Sequence, residues 1–223
     1  MTRIYIVRHC EAIGNIKHLF QGTTDLDITE LGEKQLVRLE ERFKDIHLDR
    51  VYSSPLIRTQ KTAKAIIGNK NLPLEINQGI IEINGGFLEG KHFSETFAVM
   101  PELLDTWLNH PQDFAPKDGE PMTVSYERFW NEVKKIAIEN QGKTVALATH
   151  GGVMRCLHCR LLHGSIDQLV NTPWTGNTAV SLLEMDDSLN PNLVFYNDVS
   201  HLPENLQNNK SKIDNFLKEN KQC

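Results

Sequence analysis

Short β-rich runs alternate with helix-length amphipathic segments along most of this chain, and no other feature restricts the fold as strongly. Arg3 to Val7 is β-rich and is followed by a loop holding Gly14 and Gly22. Thr29 can cap a helix in which Leu36, Leu39, Phe43 and Ile46 recur at helical spacing. Val51 to Ser53 reads as a second strand. Ser54 then caps a helix with Pro55 at its first position, where a missing N–H costs nothing, and that helix runs to about Gly68. Leu74 to Ile76 is a third, short strand. Tyr126 to Asn140 is amphipathic, with Phe129, Val133, Ile136 and Ala137 inward, and Gly142 stops it. Thr144 to Ala148 is a near-continuous apolar strand, and "THGG" leads into a helix beginning near Val153. Ala179 to Met185 and Leu193 to Val199 are two more strands, joined by a turn rich in Asp and Asn. This order predicts an α/β fold: a mostly parallel central sheet with helices on both faces.

The rhythm breaks between Gly85 and Glu120. Phe87, Phe93, Phe97, Trp107 and Phe114 are scattered there among Pro and polar residues, with no strand for the sheet. Residues 85–120 therefore read as an inserted cap over one end of the sheet. With 223 residues the chain suits one domain, 1–223, able to bury a real core. The end of the chain, 204–223, is rich in Asn and Lys and has only Ile213, Phe216 and Leu217 to anchor it, which predicts a loosely docked tail.

A formal charge of −5 argues against bulk binding of nucleic acid or an anionic membrane, so an anionic ligand needs a local positive site. No apolar run approaches the roughly 18 residues of a membrane span. The N-terminus lacks the basic and apolar stretches of a secretory signal. The cysteines Cys10, Cys156, Cys159 and Cys223 are too few and too unevenly placed for a disulfide framework. A cytoplasmic protein is expected, as a monomer or homodimer.

In open α/β sheets, ligands collect outside the carboxyl ends of the strands. Arg8 and His9 follow the first strand. Thr149 and His150 follow the later apolar strand, where Gly151 and Gly152 open a helix. Arg58 lies one turn into the helix after the second strand, and Glu82 stands just before the cap in "IIEINGGFLEG". Two arginines, two histidines and a carboxylate at one mouth point to phosphoryl chemistry, because Arg pairs bidentately with phosphate oxygens. The helix at Gly151 offers N–H groups and a positive dipole end, and Asn15 and the Gln21-Gly22 turn offer neutral donors. There is no Cys-x5-Arg loop and no Asp-rich strand end. His9 can attack phosphorus directly if neutral, and neighbouring arginine charges push its pKa down. The alkoxide leaves poorly and needs an acid. Glu82 is the better placed, with Glu89 a rival seven residues on.

"VRHCEAIGN", "FQGTTDLDITELG", "VYSSPLIRTQKTA", "IIEINGGFLEG" and "LATHGGVMR" follow one another in this order. The set resembles the blocks of the histidine phosphatase (phosphoglycerate mutase-like) superfamily over nearly the whole chain, to about Val199. The resemblance implies a phosphoglycerate mutase-like fold acting on a small-molecule phosphomonoester. It implies that His9 forms the phosphohistidine, that Arg8, Arg58 and His150 hold the phosphoryl group, that Asn15 and Gly22 line the pocket, and that Glu82 donates the proton. No metal and no other cofactor is implied. Three departures stand out: Cys10 where the family usually has Gly or Ala, Gly85 where it often has Phe, and Pro121 after "GE" where it often has Ser.

Each motif also has a plainer reading. An Arg-His pair at a strand end is usually a surface pair, His150 alone suits a core histidine, and Arg58 alone suits a solvated helix. Ordered together, they favour a site. Cys156-x2-Cys159 with His158 and His163 superficially suggests zinc, but the cysteines fall inside a predicted helix with no second pair, so packing is the reading. The family leaves a cofactor-dependent phosphoglycerate mutase as the rival enzyme and a non-catalytic phospho-ligand-binding regulator as the non-enzyme. The 85–120 segment has Lys91 and Lys117 but no Arg, which favours the phosphatase over the mutase.

Overall fold

The computed structural model describes residues 1–207. Six strands form one sheet: β1 (Thr2–Arg8), β2 (Arg50–Ser53), β3 (Leu74–Ile76), β4 (Thr144–Thr149), β5 (Val180–Met185) and β6 (Pro191–Asp198). Their order across the sheet is β3-β2-β4-β1-β5-β6. The first four run parallel, and β5 and β6 are antiparallel to their neighbours. The α/β, mostly parallel architecture expected from the alternation is the one observed.

A four-residue helix, α1 (Ile13–Ile16), follows β1. Strand alternation divides the core in two. Ile4, Ile6, Val145, Leu147 and Leu183 face the helices α6 (Met122–Glu139) and α7 (Gly151–His163), meeting Phe129, Val133, Ile136 and Val153. Tyr5, Val7, Ala146, Ala148 and Val180 face α2 (Glu30–Phe43) and α3 (Ile57–Ile67), meeting Leu39, Phe43, Ala63 and Ile66. A central strand buried on both sides is apolar along its middle, which is why β1 and β4 read as continuous runs.

Helix boundaries differ in instructive ways. Thr29 caps α2 as expected, its side chain accepting from the Gly32 N–H, but the helix stops at Phe43, short of Ile46. Ser54 does not cap α3: that helix starts at Ile57 after Leu56, and the Ser54 hydroxyl is bound to His150 instead. α6 starts at Met122, four residues ahead of the amphipathic signal, with Pro121 in the cap position. α7 starts at Gly151 rather than near Val153.

The 85–120 segment supplies no strand to the sheet among the described residues. It forms a short turn at Gly86–Leu88, α4 (Phe93–Ala98), α5 (Pro101–Asn109) and a second turn at Pro111–Asp113. Its Phe97, Trp107 and Phe114 are buried and join the α6–α7 side of the core, while Phe87 and Phe93 pack partly exposed against it. Of the expected tail, residues 204–206 form a short turn with Leu206 buried, and 208–223 lie outside the described residues. No described helix is long and apolar enough to cross a membrane.

Candidate active site

The register sets the site. Arg8 at the end of β1 lies opposite Thr149 at the end of β4, and Ser53 at the end of β2 lies opposite Ala148. Three neighbouring parallel strands thus deliver Arg8-His9, Thr149-His150 and Ser53-Ser54 to one edge. The His9 backbone is pinned from both sides. Its N–H donates to the Thr149 carbonyl, and its own carbonyl accepts from the Thr178 N–H and the Asn177 amide.

His9 is only 3% exposed. Its Nδ1 lies 2.6 Å from the Cys10 carbonyl, which can only accept, so Nδ1 carries the proton and Nε2 keeps its lone pair. Burial, then the charges of Arg58 and Arg8, hold its pKa well below the ordinary histidine value, against the pull of the Cys10 bond. His150 is fully buried beside it, the two rings 5.4 Å apart at 61°. Burial and the same arginines lower the His150 pKa as well. Its Nε2 lies 2.7 Å from the Ser54 hydroxyl.

The arginines are committed in part. Arg8 donates from Nη1 to the Thr175 carbonyl. Arg58, with 0% exposure, donates to the carbonyls of Thr24, Gln21 and Gly22 at 2.8–3.0 Å, so its first visible task is to hold the Gln21–Thr24 loop. Burial lowers each to about 10, against the attraction of Glu82, and both stay charged near neutrality. The Nε atoms of Arg8 and Arg58 and Nδ1 of His150 are buried without a partner. A buried guanidinium nitrogen without a partner calls for an acceptor, and a phosphoryl oxygen is an acceptor of matching charge.

Glu82 occupies the start of α7. Its carboxylate accepts from the N–H groups of Gly152 (2.9 Å), Val153 (3.1 Å) and its own neighbour Ile83 (3.0 Å). The N–H groups expected to greet a phosphate at that helix end are therefore partly used by the carboxylate. Glu82 can keep this place only beside a glycine: a Cβ on Gly152 would stand 2.6 Å from Glu82 Oε1. Arg128 braces the same segment, donating to the carbonyls of Gly79 and Ile81 while pairing with Glu120.

Glu89 behaves differently. It accepts from the N–H groups of Thr23, Thr24 and Gly85 and from the Thr24 hydroxyl, so Arg58 holds the carbonyls of the Gln21–Thr24 loop and Glu89 its amides. A Cβ on Gly22 would lie 2.0 Å from the Ile83 carbonyl and 2.4 Å from Glu89, so no side chain fits there.

Several of these groups border one cavity that opens to solvent. Arg8, His9, Asn15, Gln21, Gly22, Glu82 and Gly151 line it. Arg58 and His150 do not reach its surface; both are fully buried, in bond contact with the loop carbonyls and with Ser54. Glu89 is also absent from the lining. Asn15 uses its Oδ1 on the Ala12 N–H, and Gln21 packs its amide against Gly14.

The sequence departures have local causes. Cys10 is buried at an ordinary backbone angle, with burial pushing its thiol up to about 12. Gly85 does not loosen the segment: its N–H is held by Glu89, and a Cβ there would strike the Phe20 ring at 2.4 Å. Cys156 and Cys159 pack inside α7, against Met122 and the Ser165 carbonyl. Sequence reasoning missed Ser54 as a partner of His150, Thr175 and Asn177 behind Arg8 and His9, and Trp174 on the cavity wall. The only trace of these residues in the sequence is the small polar run Thr175–Thr178 placed directly before a strand.

Residues 4–199 match the sequence model of the Histidine phosphatase superfamily (branch 1). Phosphoserine phosphatase 1 of Hydrogenobacter thermophilus is 31% identical over 207 residues, covering 92% of this chain and 96% of that protein. Among solved structures, Bacillus stearothermophilus YhfR superposes with a TM-score of 0.86 at 29% identity, over 90% of this chain and 99% of its own. A phosphoserine phosphatase from Entamoeba histolytica in complex with phosphoserine superposes with a TM-score of 0.78 at 25% identity, over 91% and 100%.

Proposed function

The chain belongs to the histidine phosphatase superfamily and is a hydrolase of small-molecule phosphomonoesters, and from that premise we propose that its reaction runs through a phosphohistidine on His9. Nε2 of His9 forms a bond to phosphorus as the ester P–O bond breaks. The electron pair leaves on the alcohol oxygen, which takes a proton from Glu82. Water then adds to phosphorus, the N–P bond breaks with its pair returning to Nε2, and Glu82 accepts the water's proton. One water is consumed, and alcohol and phosphate are released. Arg8 on the lining and Arg58 and His150 buried directly behind it form the phosphoryl clamp, and the arginine charge fixed in advance of the reaction supplies most of the rate. Asn15, Gln21, Gly22 and Gly151 complete the pocket.

The observation that carries this reading is the Nδ1 bond from His9 to the Cys10 carbonyl, which leaves a buried Nε2 with its lone pair, while burial and the charges of Arg58 and Arg8 oppose protonation of the ring. His9→Ala should abolish turnover with circular dichroism unchanged. Labelled substrate and rapid trapping without acid should give the wild type a phosphoenzyme that is acid-labile and base-stable. Full activity in the variant sinks the mechanism. Release of phosphate from 3-phosphoglycerate or a related monoester, with poor interconversion of phosphoglycerate isomers even when 2,3-bisphosphoglycerate is present, separates this reading from a mutase.

The same reading makes the chain one cytoplasmic domain, a monomer or homodimer, with residues 85–120 as its cap and no nucleic-acid or membrane partner. The net charge of −5 supports it.

A further inference from the structure

The phosphoryl end of the cavity is polar and charged; the other end is mainly aromatic, with His18 among the rings. Residues 18–20 and 90–93 run side by side, with the Phe20 N–H donating to Lys91, the Gly90 N–H to Phe20 and the Phe93 N–H to His18. That pairing sets Phe20 and Phe93 5.4 Å apart, and Trp107 of α5 meets Phe20 at 5.7 Å. Trp174 then stacks on Trp107 at 5.8 Å and 28°. The Arg155 guanidinium lies 4.7 Å over the Trp174 ring while bonding the Thr172 and Leu169 carbonyls, so the indole is held from outside. Phe20 and Trp107 are buried in this wall, whereas Phe93 and Trp174 keep part of their rings exposed. The missing side chain at Gly85 is what lets the Phe20 ring come in.

Charge is distributed just as unevenly. Among the described residues, Arg8 and Glu82 are the only Arg, Lys, Asp or Glu side chains on the lining, and both stand at the phosphoryl end; His18, its ring 6.1 Å from that of His92, is the titratable side chain that lines it beside the aromatic rings. An ammonium or carboxylate that the alcohol carries beyond the reach of Arg8 and Glu82 would have to leave water against aromatic rings with no fixed counter-charge, which is costly. A flat apolar group would instead stack there.

We propose that this cavity selects phosphomonoesters whose alcohol carries an aromatic or flat apolar group close to the ester oxygen, and that it discriminates against phosphoserine and phosphoglycerate. The proposal rests on the phosphatase reading and deepens it.

The test compares phosphate release from 2-phenylethyl phosphate, ethyl phosphate, phosphoserine and 3-phosphoglycerate by the wild-type enzyme. All four leave as alkoxides, so differences in kcat/KM report the fit of the alcohol rather than its leaving ability. The expected kcat/KM for 2-phenylethyl phosphate exceeds that for phosphoserine by about tenfold or more. Trp174→Ala should shrink the ratio of 2-phenylethyl to ethyl phosphate by about fivefold, and Trp174→Phe should restore most of it. Inhibition of the wild type by 2-phenylethylphosphonate and by the phosphonate analogue of phosphoserine gives the same comparison without a variant. Phosphoserine turned over as well as the phenylethyl ester, or a ratio indifferent to Trp174→Ala in the folded variant, overturns the proposal. No phosphate released from any of the four would instead count against the phosphatase reading.

Discussion

Adding one methyl group at Gly152 should disable the proton donor without touching it chemically. A Cβ there stands 2.6 Å from Glu82 Oε1, 3.2 Å from its Cδ and 3.0 Å from Ile83 Cδ1. The nearest obstacle is the far end of a flexible side chain, so the carboxylate swings away and the α7 backbone stays. Glu82 then loses the bonds from the Gly152 and Val153 N–H groups. Charge-assisted bonds of this kind are worth about 1.5–3 kcal/mol each when buried. Gly152 lines the cavity, so water replaces much of that loss. Alanine also returns roughly 1 kcal/mol of helix propensity. The balance is a net destabilisation of about 1 kcal/mol, a shift of a few degrees in Tm.

Catalysis should respond far more. General acid catalysis supplies about 10²–10⁴-fold, so Gly152→Ala should depress kcat/KM for ethyl phosphate by about 10²-fold. p-Nitrophenyl phosphate, whose phenolate leaves unaided, should lose much less. Glu82→Gln should show the same pattern, and the double variant should be no worse than either alone, because both remove one function. Equal losses with both esters would mean that the methyl group obstructs the phosphoryl pocket. No loss with the alkyl ester would remove Glu82 in its observed position as the acid.

Glu89→Gln should behave in the opposite way. An amide has one acceptor oxygen where the carboxylate serves four donors, so the Gln21–Thr24 loop should loosen, KM should rise several-fold and the two esters should be affected alike; a loss confined to the alkyl ester would make Glu89 the acid. Stability should fall between pH 7.5 and 5.5. His158 is fully buried, and burial lowers it from 6.5 to about 4, so below pH 6.5 the unfolded chain binds a proton that the folded chain refuses. At pH 5.5 that group alone removes about 1 kcal/mol, with His9 and His150 shifted in the same direction. Urea unfolding at the two pH values measures it, and His158→Gln should reduce the difference; equal stability at both would refute the assignment.

The strands were legible because a strand buried on both faces is apolar along its middle, as residues 4–7 of β1 and 145–148 of β4 are. Helix starts were harder, since the local signals had other work. Ser54-Pro55 has the composition of a cap, but the serine hydroxyl binds His150, a contact made 96 residues away in sequence. Gly151-Gly152 has the composition of a loop, yet α7 runs through both glycines, and a Cβ on the second would meet the Glu82 carboxylate at 2.6 Å. Glycine here answers to a neighbour, not to a turn.

The same distinction runs through the site. Arg8, His9 and His150 could be placed together because strand order alone brings parallel strand ends to one edge. The task of Arg58 on the loop carbonyls could not be read, because its partners are backbone groups, and a carbonyl at Gln21 looks the same in sequence as any other. The cavity wall was hidden for a third reason. Aromatic residues of the 85–120 segment are equally suited to a private core and to a ligand, and both outcomes occur within one cluster: Phe114 is wholly buried, while Phe93 and Trp174 keep ring surface toward the cavity. Reaction type is thus fixed by strand ends that the chain order announces. Substrate choice falls to rings whose facing depends on a two-stranded pairing of 18–20 with 90–93 and on a stack between Trp107 and Trp174. Relatives that keep the strand-end residues and change those rings should therefore share the chemistry and differ in the alcohol they release.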